Sequence, residues 1–242
     1  MEGDRLNARP CVAFVPGLLC DAQLWQPQLD ALDGCADTWV ADVTRDDSIA
    51  AMAARVLAEC RFERFALAGL SMGGYVSLAI MRQAPQRLTR LALLDTQARA
   101  DTPEATERRL ALIELTKRGK FAGVPDRLLP LFLHSSRLDD PRLTGIVRSM
   151  ANNVGAAAFL RQQKAIMQRP DARDSLSQIA CPTLLLCGEH DLLTPIDRHE
   201  EMKQLIPGAQ MVVVRGSGHL PTLEKPDETS RALAAWLELG TL

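Results

Sequence analysis

Ser71 lies at the centre of the pentapeptide Gly-Leu-Ser-Met-Gly, residues 69–73. An apolar run typical of a strand precedes this pentapeptide, and a run typical of a helix follows it. A serine on such a sharp strand-to-helix turn is the nucleophile-elbow pattern. The glycines have a steric reason, because a side chain two residues before or after the serine would collide with the turn or a neighbouring strand. The pattern predicts Ser71 as a nucleophile, with a solvated serine in a glycine-rich turn as the alternative.

A serine hydroxyl needs a base to take its proton, and the chain has four histidines. His219 follows the last predicted strand in a loop with two glycines, at the edge of the sheet where ligands of open α/β folds bind. His190 lies on a loop, His134 lies among the helices predicted in the middle of the chain, and His199 lies in a charged helix where we expect it to be solvated. We therefore predict His219 as the base. Ser217 also lies between glycines, but no helix starts at it.

The histidine needs an acceptor for its second ring nitrogen. Asp191 follows the penultimate predicted strand, which gives the order serine, aspartate, histidine along the chain. Glu189 and Asp95 are competitors, since Asp95 also ends a predicted strand. A turn-forming role for Asp191 ahead of Thr194 is open as well. We predict Asp191 as the acid and keep Asp95 as the main alternative.

Two backbone N–H groups must converge on the substrate oxygen when it becomes negative. Met72 follows the nucleophile at the start of a predicted helix, where the helix dipole is positive, so its amide is one candidate. The other candidate lies in the loop after the first predicted strand, where Gly17 permits a turn and Leu18 supplies the amide. These two backbone groups form the predicted oxyanion hole.

Strand-like and helix-like patterns alternate along the chain, with strands predicted at 10–15, 38–43, 65–70, 90–95, 182–188 and 210–216. This alternation predicts an α/β fold with a mostly parallel sheet of about six strands flanked by helices. Only helical patterns occur from 98 to 178, which predicts a helical cap inserted after the strand that ends at Asp95. The α/β core would then comprise residues 1–97 and 179–242.

The composition is that of an ordinary globular protein. A hydrophobic fraction of 47% and a charged fraction of 24% argue against a disordered or fibrous chain of 242 residues. A formal net charge of -2 gives no electrostatic reason to expect a nucleic-acid or membrane partner. We expect no secretory signal and no membrane helix. The six cysteines form no Cys-x-x-Cys pair, which favours a reduced, cytoplasmic protein over a disulfide-linked one.

Three motifs in order along the chain resemble the α/β-hydrolase superfamily: GLSMGG, LLLCGEHDLLTP and GSGHLPTLEKPDE. They look like its elbow, its acid loop and its histidine loop, and the helical insertion looks like its cap. The chain looks most like the small-molecule esterases and enol-lactone hydrolases of that superfamily. Two departures are visible. The superfamily usually has His-Gly where this chain has Pro16-Gly17, and only about ten residues precede the first predicted strand, which implies a trimmed sheet of about six strands.

The resemblance implies a serine hydrolase that cleaves a small carboxylic ester, thioester or lactone through an acyl-enzyme. Ser71 would attack, and His219 with Asp191 behind it would carry the proton. Leu18 and Met72 would hold the oxyanion, with no metal and no cofactor. Alternatives are carbon–carbon bond hydrolysis or a synthase or lyase reaction with the same residues, and a non-catalytic binding protein. We expect a small-molecule substrate, and monomer and homodimer are both open.

The inserted segment should select the substrate. Its leucines and Phe132 suggest an apolar lining, although leucines at helical spacing are usually packing residues. Arg99, Arg137 or His134 could receive a substrate carboxylate, although each is more typical of a solvated surface group. The sequence does not choose among these readings.

Overall fold

The computed structural model describes residues 9–238. Within this range six strands form one sheet in the order β2-β1-β3-β4-β5-β6, and every neighbouring pair is parallel. The strands are β1 (Cys11–Val15), β2 (Asp37–Val40), β3 (Phe65–Leu70), β4 (Leu88–Leu94), β5 (Thr183–Gly188) and β6 (Gln210–Val214). The predicted α/β class with a parallel sheet of six strands is confirmed.

The helices of the described range alternate with these strands. They are α1 (Gln26–Ala31), α2 (Ile49–Glu59), α3 (Met72–Gln83), α4 (Pro103–Lys117), α5 (Val124–Phe132), α6 (Pro141–Met167), α7 (Ile196–Leu205), α8 (Pro221–Glu224) and α9 (Pro226–Trp236). Gly155 has φ 75° and ψ 167°, which are not helical values and divide α6 into two segments. Between residues 9 and 238, no helix combines the length and the apolar character that crossing a membrane requires.

The sheet is buried at its centre and partly exposed at its edges. Every residue of β3 and of β5 is buried, whereas β2 and β6 each contain exposed residues. Central strands of a parallel sheet need apolar side chains on both faces because helices cover both. This burial explains why the central strand sequences are continuous apolar runs and do not alternate between apolar and polar residues.

All strands point in the same direction, so their carboxyl ends share one edge of the sheet. Ser71 follows β3, Asp95 follows β4, Asp191 lies three residues after β5, and His219 follows β6. Residues that are far apart in the chain are thereby brought to the edge at which open α/β sheets bind their ligands.

Helices α4 to α6 occupy the chain between β4 and β5, and α6 lies over the same edge. The side chain of Gln162 accepts a hydrogen bond from the N–H of Leu19 (3.1 Å) in the loop after β1. The same side chain donates to the carbonyl of Val43 (3.3 Å), beyond β2. Arg161 also donates to the carbonyl of Thr44 (2.9 Å). These bonds fasten α6 to the loops that follow the first two strands.

All six cysteines lie in the described range as free thiols. Cys20, in the loop after β1, is buried, and this burial raises the pKa of its thiol to about 12. A thiol must lose its proton to attack a carbonyl group. Cys20 is therefore a poor nucleophile although it lies in the same loop as Leu18.

Helix α3 begins in direct contact with β1, and glycine makes that contact possible. A Cβ at Gly73 would overlap the carbonyl oxygen of Val15, the last residue of β1. A Cβ at Gly69 would overlap the carbonyl of Gly73 and the hydroxyl of Ser77. These clashes are the steric reason that the sequence pattern predicts for the two glycines.

Replacing Gly73 with alanine should destabilise the protein. We expect Gly73→Ala to lower the free energy of unfolding by about 2 to 3 kcal/mol, because the added methyl group meets backbone that cannot move without disturbing the sheet. Urea denaturation followed by circular dichroism measures the change. Gly145→Ala is the matched control: it lies inside α6 with no atom within 4 Å of an added Cβ. Its higher helix propensity should stabilise the protein by about 0.5 to 1 kcal/mol, so equal stabilities of the two variants would contradict the steric account.

Candidate active site

Ser71 alone forms the turn between β3 and α3 and has a strained backbone. Its dihedral angles are φ 57° and ψ −115°, a region that residues with a side chain rarely adopt. The N–H of Ser71 donates to the carbonyl of Leu94 (2.9 Å), and its own carbonyl accepts from the N–H of Gly74 (2.9 Å). The hydroxyl of Thr96 also donates to the Ser71 carbonyl (2.8 Å). The hydrogen bonds around the turn hold the serine in this conformation.

The two predicted oxyanion-hole amides lie beside Ser71. Met72 is the first residue of α3, so its N–H has no acceptor within the helix. The loop after β1 touches the serine, because a Cβ at Gly17 would lie 3.3 Å from the Ser71 Cβ. Within residues 9–238 the N–H of Leu18 makes no hydrogen bond, whereas that of Leu19 is donated to a glutamine of α6. Both predicted amides are therefore free to bind an oxygen.

Asp191 and His219 form a buried hydrogen-bonded pair. The distance from His219 Nδ1 to Asp191 Oδ2 is 2.8 Å, and the two residues are 1% and 3% exposed. A carboxylate acceptor at Nδ1 places the ring proton on that nitrogen, which leaves a lone pair on Nε2. Nε2 is buried and has no hydrogen-bond partner in the described structure. The pair thus presents an unoccupied basic nitrogen.

Several donors stabilise the Asp191 carboxylate. Its Oδ1 accepts from the N–H groups of Leu193 (2.8 Å) and Thr194 (3.1 Å), and its Oδ2 accepts from the Thr194 hydroxyl (2.6 Å). Burial alone would raise the pKa of Asp191, but the charge and hydrogen bond of His219 together with these donors lower it below its usual range. Asp191 is therefore both the turn-forming acid and the partner of the histidine, the two roles that the sequence leaves open.

The competing acids do not bind the histidine. Glu189 Oε2 accepts from the N–H of Gly216 (3.0 Å) on the protein surface. Asp95 is completely buried, and its Oδ1 accepts from the N–H of Gly188 (2.8 Å) while its Oδ2 has no partner in the described structure. Burial and the neighbouring carboxylate of Asp191 raise the pKa of Asp95 well above its usual range. The environment of Asp95, behind the pair, therefore favours its protonated form.

Asp95, Asp191 and His219 each place one possible metal-ligand atom within 4.8 Å of the other two. Zinc binds nitrogen and carboxylate oxygen at about 2.0 to 2.2 Å, so two tetrahedral ligands lie about 3.3 Å apart. The 2.8 Å between His219 Nδ1 and Asp191 Oδ2 is shorter than this separation. The distance is that of a hydrogen bond, and burial disfavours the charged form of Asp95 that would bind a cation, so the group does not fit a metal ion.

Glu224 organises the loop that carries the histidine, a role that the sequence analysis missed. Its Oε1 accepts from the N–H of Gly218 (2.8 Å) and the hydroxyl of Ser217 (3.2 Å), and its Oε2 accepts from the N–H of His134 (2.7 Å). Ser217 is thus a buried structural residue, as the absence of a helix after it indicates. Glu224 joins the histidine loop to the segment after α5. Nothing in the sequence indicated this contact, because an acid five residues after a histidine is not a recognised motif.

The expectation that His199 is solvated is wrong. His199 is fully buried in α7, and its Nε2 accepts from the N–H of Thr96 (3.2 Å). Burial lowers the pKa of His199 to about 4, so the ring is neutral at physiological pH. Charged neighbours in the sequence suggested a surface position, but this one face of α7 packs against the end of β4. His199 supports Thr96, whose hydroxyl in turn holds the carbonyl of Ser71.

No hydrogen bond joins Ser71 to His219, since Nε2 of the histidine has no partner. Phe132 contacts His219 and also lines the cavity at Ser71. Its ring is stacked on the imidazole of His219, with centroids 5.9 Å apart and planes inclined by 22°, and its carbonyl accepts from the His219 N–H (3.1 Å). The structure therefore brings the base and acid together and places the serine at the same edge.

Ser71 opens into a cavity of about 120 Å³. Its apolar lining residues are Leu18, Ala105, Leu112, Leu128, Leu131, Phe132, Ile166 and Leu193. Its polar lining residues include Tyr75, Gln97, Asp101, Arg108, Arg109 and Gln163. The cavity is small, and helices α4 to α6 supply most of the residues that face the serine.

The three residues considered as carboxylate receptors do not line this cavity. Arg99 pairs with Glu201 (2.8 Å), and Arg137 pairs with Asp140 (2.9 Å). The ring of His134 lies beside that of His190, with centroids 4.6 Å apart and planes inclined by 49°. The arginines of the cavity come instead from α4, where helical periodicity gave no reason to separate them from the other charges of that helix.

A larger groove of about 570 Å³ lies between α1, α6 and α9. Its walls include Asp30, Arg142, Asp227 and Arg231, and none of the predicted catalytic residues lines it. The smaller cavity at Ser71 is therefore the candidate active site.

Comparison with known proteins identifies similar chains. A protein-family model described as alpha/beta hydrolase fold matches residues 17–226. A pimeloyl-[acyl-carrier protein] methyl ester esterase of Nitrosomonas europaea is 30% identical over 172 residues, which cover 68% of each chain. A protein of Escherichia coli O127:H6 named "Putative carbamate hydrolase RutD" is 29% identical over 93% of this chain and 89% of its own. Among solved structures, a thermophilic esterase from Thermogutta terrifontis, with malate bound, has a TM-score of 0.86 and 30% identity, and the match covers 95% of this chain and 89% of that one.

The buried His199 should make stability depend on pH. Histidine in an unfolded chain has a pKa of about 6.5, so between pH 6.5 and pH 4 the unfolded state binds a proton that the folded state does not. The contribution of His199 to the free energy of unfolding therefore falls as the pH falls, by about 2 kcal/mol between pH 7 and pH 5. His199→Gln, which keeps an acceptor for Thr96, should remove this contribution.

The measurement is the difference in unfolding free energy between wild type and His199→Gln at pH 7 and at pH 5. Taking the difference cancels the opposite pH dependence of Asp95, whose pKa is raised by burial. His190→Gln, on the exposed loop after β5, is the matched control. A wild-type advantage that stays the same at both pH values would show that His199 is not buried as a neutral ring.

Proposed function

Because the chain belongs to the α/β-hydrolase fold family, we propose that it is a serine hydrolase that cleaves a small carboxylic ester, thioester or lactone. The observation that supports this most strongly is the buried pair of Asp191 and His219, which leaves Nε2 without a partner at the sheet edge that carries Ser71. A hydrolase of this class needs a hydroxyl, a base and an acid at one place. The proposal assigns these roles to Ser71, His219 and Asp191.

In the proposed mechanism, Ser71 Oγ attacks the carbonyl carbon of the substrate while His219 Nε2 takes the hydroxyl proton. Asp191 holds the ring in the required tautomer and stabilises the imidazolium. His219 then gives the proton to the leaving oxygen or sulfur, and the acyl group stays on Ser71. Water, deprotonated by the same nitrogen, attacks this ester, and the acid is released with the serine restored. Catalytic hydrogen bonds are often long in a free enzyme and shorten in the substrate complex, so the missing bond between Ser71 and His219 is compatible with this sequence.

The oxyanion of each tetrahedral intermediate is assigned to the amides of Leu18 and Met72. Both N–H groups lie beside Ser71 without an acceptor in the described structure. Each such donor stabilises the transition state by about 3 kcal/mol. The strained serine at the start of α3 also places the developing negative charge at the positive end of the helix dipole.

We assign helices α4 to α6 to a cap, residues 98–178, that encloses the acyl group or the leaving group. Two of the similar proteins are named esterases, which favours an ester as the substrate. The relative named for carbamate hydrolysis favours a carbamate as the second candidate, because serine attack on a carbamate carbonyl uses the same groups. A substrate screen with p-nitrophenyl esters of increasing chain length, lactones, acyl-CoA thioesters and carbamates separates these classes.

The first test replaces the nucleophile. Ser71→Ala should lower kcat on the best substrate of the screen by about 10⁴-fold or more, because the acyl-enzyme cannot form. Its thermal stability should be nearly unchanged, since the hydrogen bonds that hold this turn are made by the Ser71 backbone and not by its hydroxyl. A fluorophosphonate probe should label wild type and the exposed-serine control Ser177→Ala, but not Ser71→Ala. Retained activity on every substrate, or labelling of another serine, would reject the assignment.

The second test distinguishes the two buried carboxyl groups. Asp191→Asn should lower kcat by about 10⁴-fold, because an amide favours the wrong tautomer of His219. Asp95→Asn should keep kcat within about tenfold of wild type, because burial favours the uncharged form of Asp95 and an asparagine oxygen can accept the same N–H of Gly188. Steady-state kinetics on one ester measures both variants, and similar losses in the two would show that Asp95 shares the role of the acid.

A further inference from the structure

One wall of the Ser71 cavity is polar and interconnected. Arg109, on α4, donates through Nε to Asp101 Oδ2 (2.7 Å) and through Nη1 to Gln163 Oε1 (2.9 Å). These three residues and Arg108 line the cavity. The two hydrogen bonds fix the Arg109 guanidinium and the Gln163 amide relative to each other, so this wall is preorganised.

The same wall carries an excess of positive charge. Arg169 also donates to Asp101, so two guanidinium groups share one carboxylate that is 3% exposed. Arg169 is buried and lies over the ring of Tyr75, with its Cζ 4.1 Å from the ring centroid. Within residues 9–238 no carboxylate lies at ion-pair distance from Arg108. Arg108 and Arg109 line the cavity together with one carboxylate, that of Asp101, whose charge is also shared with Arg169, a residue outside the lining. The wall therefore keeps a surplus of positive charge, which favours a negatively charged ligand in the cavity.

One buried donor of this wall has no acceptor. Gln163 is fully buried, and its Nε2 has no hydrogen-bond partner in the described structure. Nη2 of Arg169, a residue that binds Asp101 but does not line the cavity, also has no acceptor in the described structure. A buried donor without an acceptor is costly, and native proteins rarely keep one without a function. A carboxylate on the substrate would accept a hydrogen bond from Gln163. Its negative charge would also balance the surplus positive charge of the wall.

The apolar lining indicates the position of the leaving group. The leaving group takes its proton from His219 Nε2, and Phe132 is stacked on that ring. Phe132 lines the cavity with Leu128, Leu131 and Leu193. A small apolar alcohol therefore fits beside the histidine, and the acyl group is left to extend towards Arg109 and Gln163.

From this arrangement we infer that the substrate is an ester of a small apolar alcohol with a short dicarboxylic acid, whose free carboxylate is bound by Arg108, Arg109 and Gln163. This inference rests on the proposed function and adds the chemical class of the acyl group. Charge-assisted hydrogen bonds to a carboxylate are stronger than neutral ones. The polar wall therefore selects acyl chains that end in an anion over neutral chains of the same length.

The test compares two substrates that differ only in this group. Monomethyl glutarate carries a carboxylate, and methyl 4-carbamoylbutanoate carries a neutral amide of the same shape. Release of methanol gives kcat/KM for each. We expect wild type to favour the carboxylate by about tenfold or more, and a ratio near one or below one would overturn the inference.

Two variants locate the preference. Arg108→Gln changes an exposed side chain that the fold does not need, and Gln163→Leu removes the buried donor. Each should lower the ratio of kcat/KM for the carboxylate ester to that for the amide ester by about tenfold. Arg118→Gln, which removes an exposed arginine at the end of the same helix and outside the cavity, is the matched control and should keep the wild-type ratio. Ratios that do not differ among Arg108→Gln, Gln163→Leu and the control would overturn the assignment of this wall.

Binding separates a failure of this inference from a failure of the proposed function. Calorimetric titration of Ser71→Ala with each ester needs no catalysis. Tighter binding of monomethyl glutarate than of methyl 4-carbamoylbutanoate supports the carboxylate site even if the probe never labels Ser71. Equal affinities overturn the carboxylate site even if Ser71 is labelled and neutral esters are hydrolysed.

Discussion

The hydrogen bond of 2.8 Å between Asp191 Oδ2 and His219 Nδ1 is the interaction on which the site depends. It joins two buried side chains from the loops after β5 and β6, and it decides which ring nitrogen remains free. A buried carboxylate is costly unless donors surround it. The donors of Leu193 and Thr194 meet that requirement and keep the carboxylate ionised. The acid is therefore held by its own turn, and the histidine is held by the acid.

The other buried polar residues of the site form hydrogen bonds that hold this pair and the strained serine in position. Glu224 ties the histidine loop to the segment after α5, and Thr96, backed by the neutral ring of His199, holds the Ser71 carbonyl. A residue with φ near 57° persists only where its surroundings determine its conformation completely. Buried, hydrogen-bonded groups provide those surroundings.

Much of the fold could be predicted because its signals are local. Apolar runs marked all six strands, and glycine spacing marked the turn at Ser71, because periodicity and turn sterics act within a few residues. The prediction failed for His199, where charged neighbours hid a buried face of α7. Arg109 and Gln163 were missed since they are 54 residues apart and meet only where α4 packs beside α6. No local pattern distinguishes such residues from surface residues of the same helices.

The sequence by itself determined the order of strands and helices, the glycine-flanked elbow, and the polar residues that follow successive strands. Only the tertiary structure decided that the histidine binds Asp191 rather than Asp95, and that the arginines of α4 rather than Arg99 or Arg137 line the cavity. The physical reason is the range of the interactions. Backbone conformation follows from neighbouring residues, whereas a hydrogen bond between distant side chains depends on the register of the parallel strands and on how the inserted helices pack across their ends.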